Sequence, residues 1–135
     1  MALSWQDVFY VDVENFNEQH EELFGAIDIA YEAVEANRSN DVLEPLFREI
    51  ISRMVLHFHS EEAFFERILY KEKDEHVRAH IDMRIHAAEF YDSYINGQVK
   101  VSTEAMDELV SMFKRHINEH DRKYALFMKK NRLPF

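Results

Sequence analysis

Seven side chains that can ligate a metal ion recur along this chain, and their spacing constrains the fold more than any other feature. They are His20, His57, Glu61, His76, His80, His116 and Asp121. Because residues four apart on a helix share a face, Glu61 lies beside His57 on one helix. His80 lies beside His76 on another for the same reason. These seven residues therefore predict helices that bring distant segments of the chain to one level.

The gaps between these segments predict where the chain turns. In an up-and-down bundle, residues equidistant from a connecting turn face each other, and the midpoints between successive segments fall close to residues 38, 68 and 98. Polar, turn-forming residues lie at the first and last of these midpoints, at Arg38-Ser39-Asn40 and at Asn96-Gly97. The spacing thus predicts an all-α, up-and-down antiparallel four-helix bundle.

Apolar residues at helical spacing place the four helices at about 17–37, 42–70, 74–96 and 102–130. We expect Asn17 to cap the first helix and Ser102 or Thr103 to cap the fourth. Gly97 is expected to end the third helix in a left-handed conformation. Residues 1–16 form an aromatic N-terminal arm with Trp5, Phe9, Tyr10 and Phe16, which we expect to pack along the outside of the bundle.

The composition agrees with a single domain over residues 1–135. A chain of 135 residues with 47% hydrophobic and 31% charged residues, but only two glycines and two prolines, suits long helices and few turns. The chain contains no cysteine, so disulfides and thiolate metal sites are excluded. Any metal must therefore be held by nitrogen and oxygen atoms.

The charge of the chain excludes some classes of partner. A formal net charge of −10 argues against nucleic acid and against an anionic membrane surface. The first residues lack the basic start and apolar run of a signal peptide. No stretch approaches the roughly 20 apolar residues that span a bilayer. We therefore expect a cytoplasmic protein without a membrane partner.

Five imidazoles and two carboxylates are more than one ion normally needs. They suit two ions joined by bridging carboxylates. Imidazole and carboxylate without sulfur fit iron, although the ligand types leave zinc, copper and nickel open. One position is irregular, because Asp121 follows His116 by five residues, about 140° round an α-helix. His120 shares the helical face of His116 and is an alternative to Asp121 as a ligand.

The same residues carry a family resemblance. The segments are Gln19-His20-x-x-Leu23-Phe24, His57-Phe58-x-x-Glu61-Glu62, His76-x-x-x-His80 and His116-Ile117-x-x-x-Asp121-x-x-Tyr124. From Trp5 to Tyr124 the chain resembles the hemerythrin family. The resemblance implies a non-haem di-iron centre that binds dioxygen reversibly, for oxygen transport, storage or delivery.

The resemblance also implies a role for each candidate residue. One iron is expected at His76, His80 and His116, and the other at His20 and His57 with an open coordination position. Glu61 and Asp121, with an oxo or hydroxo group, are expected to bridge the two Fe2+/Fe3+ ions. The residues Phe24, Phe58, Phe113 and Ile117 are expected to line the oxygen pocket. Phe113 is bulkier than the leucine that animal relatives carry there.

Several other polar residues have a simpler interpretation. His59 and His86 are expected on the surface, and Glu62 is expected to be solvated or to support a ligand. Ligating histidines need a partner on the second ring nitrogen. Asn17, Gln19 and Tyr124 are the candidates for that role.

Other functions fit the same centre. A di-iron enzyme acting on peroxide or nitric oxide is disfavoured, because the expected apolar pocket offers no obvious proton donor. A sensor of oxygen, redox state or iron would need a separate, unidentified protein partner. A structural bundle without metal is disfavoured, because burying so many unpaired polar side chains is costly.

Overall fold

Long helices joined by short connections make up the computed structural model, which describes residues 14–97 and 100–130. The α-helices are α1 (Glu14–Glu35), α2 (Asn40–Ile68), α3 (Lys73–Phe90), α4 (Thr103–His116) and α5 (Arg122–Lys130). A π-helical segment, Tyr91–Asn96, extends α3, and a second one, Ile117–Asp121, joins α4 to α5 without a break. The described residues thus form four rods, the fourth made of α4, the π-helical segment and α5.

Neighbouring helices run antiparallel. Gln19 and Glu22 of α1 contact Ser60 and Arg53 of α2, so the order along one helix reverses on the other. Helices α2 and α3 are related in the same way, as are α1 and the fourth rod. The predicted all-α, up-and-down four-helix bundle is confirmed for the described residues. None of their helices combines the length and apolar character needed to cross a membrane.

The start of α1 differs from the expected start near residue 17. Helix α1 already includes Glu14, so Asn17 lies inside the helix and does not cap it. Phe16, expected in the N-terminal arm, is a buried residue of α1. The other three aromatic residues of the expected arm lie outside the described residues.

The ends of the helices partly follow the predicted signals. Ser102 caps α4, since its Oγ accepts a hydrogen bond from the backbone N–H of Ala105 at 3.1 Å. The prediction that Gly97 is left-handed is wrong, because its φ is −78°. Instead, Asn37 and Leu69 take positive φ values at the ends of α1 and α2. Gly97 closes the π-helical segment through a hydrogen bond from its N–H to the carbonyl of Asp92 at 2.9 Å.

Two separate hydrophobic clusters fill the bundle. The larger cluster includes Phe24, Phe58 and Phe113. The smaller, aromatic cluster contains Phe16, Phe64, Phe65, Tyr70, Tyr124 and Met128. Along every rod except α3, the candidate metal ligands lie between residues of one cluster and residues of the other. The candidate ligands therefore form a polar layer that separates two apolar cores.

The two glycines provide a matched test of this backbone. A Cβ at Gly97 would lie 2.9 Å from the carbonyl oxygen of Ser93, whereas a Cβ at Gly25 of α1 meets no atom within 4 Å. We expect Gly97→Ala to lower the free energy of unfolding by about 1–3 kcal/mol, because the backbone must shift. Gly25→Ala should raise it by about 0.5–1 kcal/mol, because alanine favours a helix interior. Urea unfolding followed by circular dichroism measures both, and equal effects would contradict the proposed role of Gly97.

Candidate metal centre

The structure brings all seven predicted residues together in the polar layer. All seven are buried. Their ligand atoms fall into two overlapping groups, and within each group the atoms lie within 4.8 Å of one another. One group is His76, His80, His116, Glu61 and Asp121, and the other is His20, His57, Glu61 and Asp121. We call these the three-histidine end and the two-histidine end of the centre.

Asp121 faces both ends of the centre with different oxygen atoms. Its Oδ1 lies 2.9 Å from His76 Nε2 and 3.1 Å from His116 Nε2. Its Oδ2 lies 3.2 Å from His20 Nε2, at the other end. A carboxylate that presents one oxygen to each side has the arrangement needed to bridge two ions.

Glu61 is the second shared carboxylate. Its Oε1 lies 3.1 Å from His80 Nε2, 3.7 Å from His76 Nε2 and 3.5 Å from His57 Nε2. At the two-histidine end, His20 Nε2 and His57 Nε2 are 2.9 Å apart. Imidazoles from all four rods thus surround the same two carboxylates.

The π-helical segment resolves the irregular spacing of Asp121. Ile117–Asp121 has the wider π-helical turn, in which hydrogen bonds span five residues rather than four. Residues five apart therefore reach the same face, which brings Asp121 beside His116. His120 is moved towards the edge, where it is only partly buried. Its ring lies 5.4 Å from that of His116, and it belongs to neither ligand group of the described residues.

The donor atoms suit a cation better than they suit one another. His76 Nε2, His116 Nε2 and both carboxylate oxygens of Asp121 are buried without a hydrogen-bond partner among the described residues. They lie close together, but not at hydrogen-bonding angles. Leaving buried polar atoms unpaired is costly, and a metal ion would satisfy several of them at once. Nitrogen and oxygen donors without sulfur are suited to iron and to other first-row metals.

The carboxylates are held in their charged form. Burial by itself would raise the pKa of Glu61, but His57, His76 and His80 outweigh burial and hold that pKa well below its ordinary value. Burial and the charge of Glu61 would raise the pKa of Asp121, but His116 and His20 hold it well below its ordinary value. Both groups are therefore ready to bind cations at neutral pH.

The pKa values of two histidines of the centre are shifted in opposite directions. Burial favours neutral His76, but the close, negatively charged carboxylates of Asp121 and Glu61 prevail and raise its pKa to about 9. Burial lowers the pKa of His57, and Glu61 only partly opposes this. One end of the centre therefore holds a proton at neutral pH that a metal ion must displace.

Two of the candidate ligand histidines have partners on the outer ring nitrogen. The N–H of His57 at Nδ1 donates to Gln19 Oε1 at 2.5 Å, so the predicted role of Gln19 is confirmed. His80 Nδ1 donates to Glu62 Oε2 at 2.8 Å. The sequence predicted that Glu62 is either solvated or supports a ligand, and it did not identify the histidine that Glu62 contacts. That contact crosses from α2 to α3, so only the packing of the helices reveals it.

The four residues expected to line an oxygen pocket are buried in the larger hydrophobic cluster. The ring of Phe58 stacks on His80 with centroids 3.9 Å apart and an angle of 8°. Phe24 and Phe113 meet edge to face at 6.5 Å, and Ile117 begins the π-helical segment. Apolar side chains thus border the ligand layer on this side.

Tyr124 borders the layer from the aromatic cluster. Its ring lies 5.7 Å from that of His76, but its hydroxyl has no hydrogen-bond partner among the described residues. It therefore does not support a histidine ring as expected. Burial, with the charges of Glu61 and Asp121, raises the pKa of Tyr124 well above its ordinary value. His59 and His86 are exposed, as predicted.

Comparison with known proteins connects this geometry to a family. The model of the hemerythrin HHE cation binding domain matches residues 11–126. A bacteriohemerythrin of Clostridium acetobutylicum is 27% identical over 124 residues, which cover 89% of this chain and 96% of that protein. A hemerythrin-like protein of Naegleria gruberi is 31% identical over 77 residues, which cover 57% of this chain and only 59% of the relative.

Solved structures share the fold. A wild-type hemerythrin is 18% identical, with a TM-score of 0.84 over 93% of this chain and 96% of that one. A hemerythrin variant in which a leucine is replaced by alanine is 20% identical and has the same TM-score. Because the family model covers most of the sequence, the chain belongs to the hemerythrin family, whose domain implies a metal-binding site, with the buried histidines and carboxylates of the polar layer as candidate ligands.

Proposed function

We propose that this chain binds dioxygen reversibly at a non-haem di-iron centre, and that it serves cytoplasmic oxygen transport, storage or delivery. The observation that carries the proposal is the division of seven buried residues into two groups that share Glu61 and Asp121. A site for one ion would need neither the shared carboxylates nor five imidazoles.

Each end of the centre has its own ligands. His76, His80 and His116 would hold one iron, and His20 and His57 the other. Glu61 and Asp121 would contact both. The bound irons would supply the electrons that dioxygen binding requires. Because the two-histidine end has one protein ligand fewer, that end can accept a small molecule.

The apolar side of the layer favours binding over turnover. The side chains expected to face dioxygen are three phenylalanines and one isoleucine, and none of them carries a proton donor. An enzyme that reduces peroxide must deliver protons to its substrate. The ring of Tyr124 belongs to the other cluster, where it contacts the rings of Phe65 and Phe16. The pocket residues would therefore exclude water without supplying protons.

Metal binding to the metal-free protein should release protons. Since the pKa of His76 is raised to about 9, its imidazole is protonated near neutral pH, and a metal ion needs the neutral form. We expect Zn2+ to release close to one proton per chain at about pH 7.5, and hardly any above about pH 10. Calorimetry in buffers of different ionisation enthalpy measures this number. Release that does not vary with pH would contradict the prediction.

The same proton gives the metal-free fold a pH dependence. A histidine whose pKa is raised on folding contributes stability that is fully present below its ordinary pKa of about 6.5. That stability is lost as the pH rises through about 9. The melting temperature of the metal-free protein should therefore fall between these pH values, more steeply than that of the zinc-loaded protein. Parallel curves for the two forms would contradict this prediction.

Optical titration tests the proposed function directly. Protein reconstituted with ferrous iron under nitrogen should contain two irons per chain. It should gain a visible charge-transfer band in air and lose that band under vacuum over repeated cycles. Irreversible conversion to the ferric form in the first cycle would reject reversible binding, and would favour an enzyme or a sensor.

Two neighbouring histidines of α2 give a matched pair for the same measurement. His57→Ala should abolish the oxygen-dependent band while leaving the helical circular dichroism intact, because it removes a ligand of the two-histidine end. His59→Ala removes an exposed imidazole from the opposite face of α2 and should leave the band unchanged. A normal band in His57→Ala would reject its assignment as a ligand.

A further inference from the structure

The two ends of the centre differ in the group that accepts a hydrogen bond from the outer ring nitrogen of a histidine. At the three-histidine end, the carboxylate of Glu62 accepts the hydrogen bond from His80 at 2.8 Å. At the two-histidine end, the amide oxygen of Gln19 accepts the hydrogen bond from His57 at 2.5 Å. One supporting group is an anion and the other is neutral.

Glu62 is well placed to act through His80. Its side chain is only 26% exposed, and Arg84 Nη2 lies 3.8 Å from its carboxylate. The His80 ring is stacked against Phe58, a contact that favours the orientation in which it faces Glu62. Its Nε2 points to Glu61 at 3.1 Å, on the inside of the centre. The charge of Glu62 thus acts on an imidazole whose orientation is fixed.

Gln19 is fixed as well, but without a charge. Its Nε2 donates to Ser60 Oγ at 3.4 Å, while its Oε1 accepts from His57. Ser60 in turn donates to the carbonyl of Leu56 on α2. The amide therefore orients the His57 ring, but adds no negative charge to the two-histidine end.

This difference has a direct consequence for metal affinity. A carboxylate on the outer nitrogen makes the inner nitrogen a stronger electron-pair donor, and such partners typically change metal affinity by about 10–100-fold. The three-histidine end also has one imidazole more. Both differences favour the same end.

We propose that the centre takes up its two ions in a fixed order, the three-histidine end first, and that Glu62 and Gln19 are positioning residues that separate the two affinities. This rests on the metal-binding part of the proposed function and not on dioxygen binding. At limiting metal, a one-ion form then accumulates. The oxygen binding proposed above would need both ions, so it would follow the second step and respond to the supply of metal.

Anaerobic titration of the full chain with Co2+ tests the order. Visible absorption and calorimetry should resolve two steps, each of one ion per chain. Glu62→Gln keeps the shape of the side chain and an oxygen that can accept from His80, but removes the charge. We expect it to weaken the first step by about 10–100-fold and to change the second by less than about threefold. Gln19→Glu should strengthen the second step by about tenfold.

Two further variants assign the steps and control for charge. His20→Ala should remove the second step and leave the first, because His20 belongs only to the two-histidine end. Glu66→Gln removes the same charge one helical turn beyond Glu62, where Glu66 is 67% exposed and paired with Lys73. Both steps of Glu66→Gln should stay within about twofold of the unmodified chain, because an exposed ion pair contributes little.

The outcomes separate this proposal from the proposed function. Uptake of two equivalent ions in one step would overturn the order while leaving a two-ion centre intact. Equal weakening of both steps by Glu62→Gln, or of neither, would overturn the role of Glu62. Ordered uptake by a protein whose ferrous form fails to bind dioxygen would support the order and overturn the proposed function alone.

Discussion

The burial of five imidazoles and two carboxylates in one layer is the constraint on which the rest of this bundle depends. Buried polar groups are costly unless they are paired, and several of these have no hydrogen-bond partner among the described residues. Cations at both ends would offset that cost, because Glu61 and Asp121 face imidazoles on either side. The ions that we propose would therefore make this layer more favourable to the fold than it is in the metal-free protein.

The π-helical segment in the fourth rod lets a regular bundle meet this constraint. An unbroken α-helix would turn Asp121 away from His116, and a shared carboxylate at the centre would be lost. The wider turn over Ile117–Asp121 aligns them. Phe113, before the segment, lies in the larger cluster, and Tyr124, after it, lies in the aromatic one. A single local change of helix type thus brings the candidate ligand Asp121 beside His116, between two packed clusters.

The sequence predicted the bundle and the convergence of the seven residues because both follow from helical periodicity and from distances to turns. It did not predict features that depend on backbone detail. Gly97 is not left-handed, since the third rod ends in a π-helical segment with close backbone contacts. Asn17 lies inside α1, because the helix begins before the apolar pattern does. The contact between Glu62 and His80 depends on how α2 and α3 pack, and spacing along one helix does not reveal it.

The position of Glu62 also fits the charge of the centre. Two divalent ions would bring four positive charges into the bundle, whereas Glu61, Asp121 and a bridging hydroxide would supply only three negative ones. An uncompensated charge inside a protein is costly. A third carboxylate, one imidazole away from the ions and partly open to solvent, reduces that excess without occupying a coordination position. The same residue that would strengthen the three-histidine end therefore helps the bundle to tolerate two ions, while Arg84, at 3.8 Å, keeps its carboxylate from being an isolated charge.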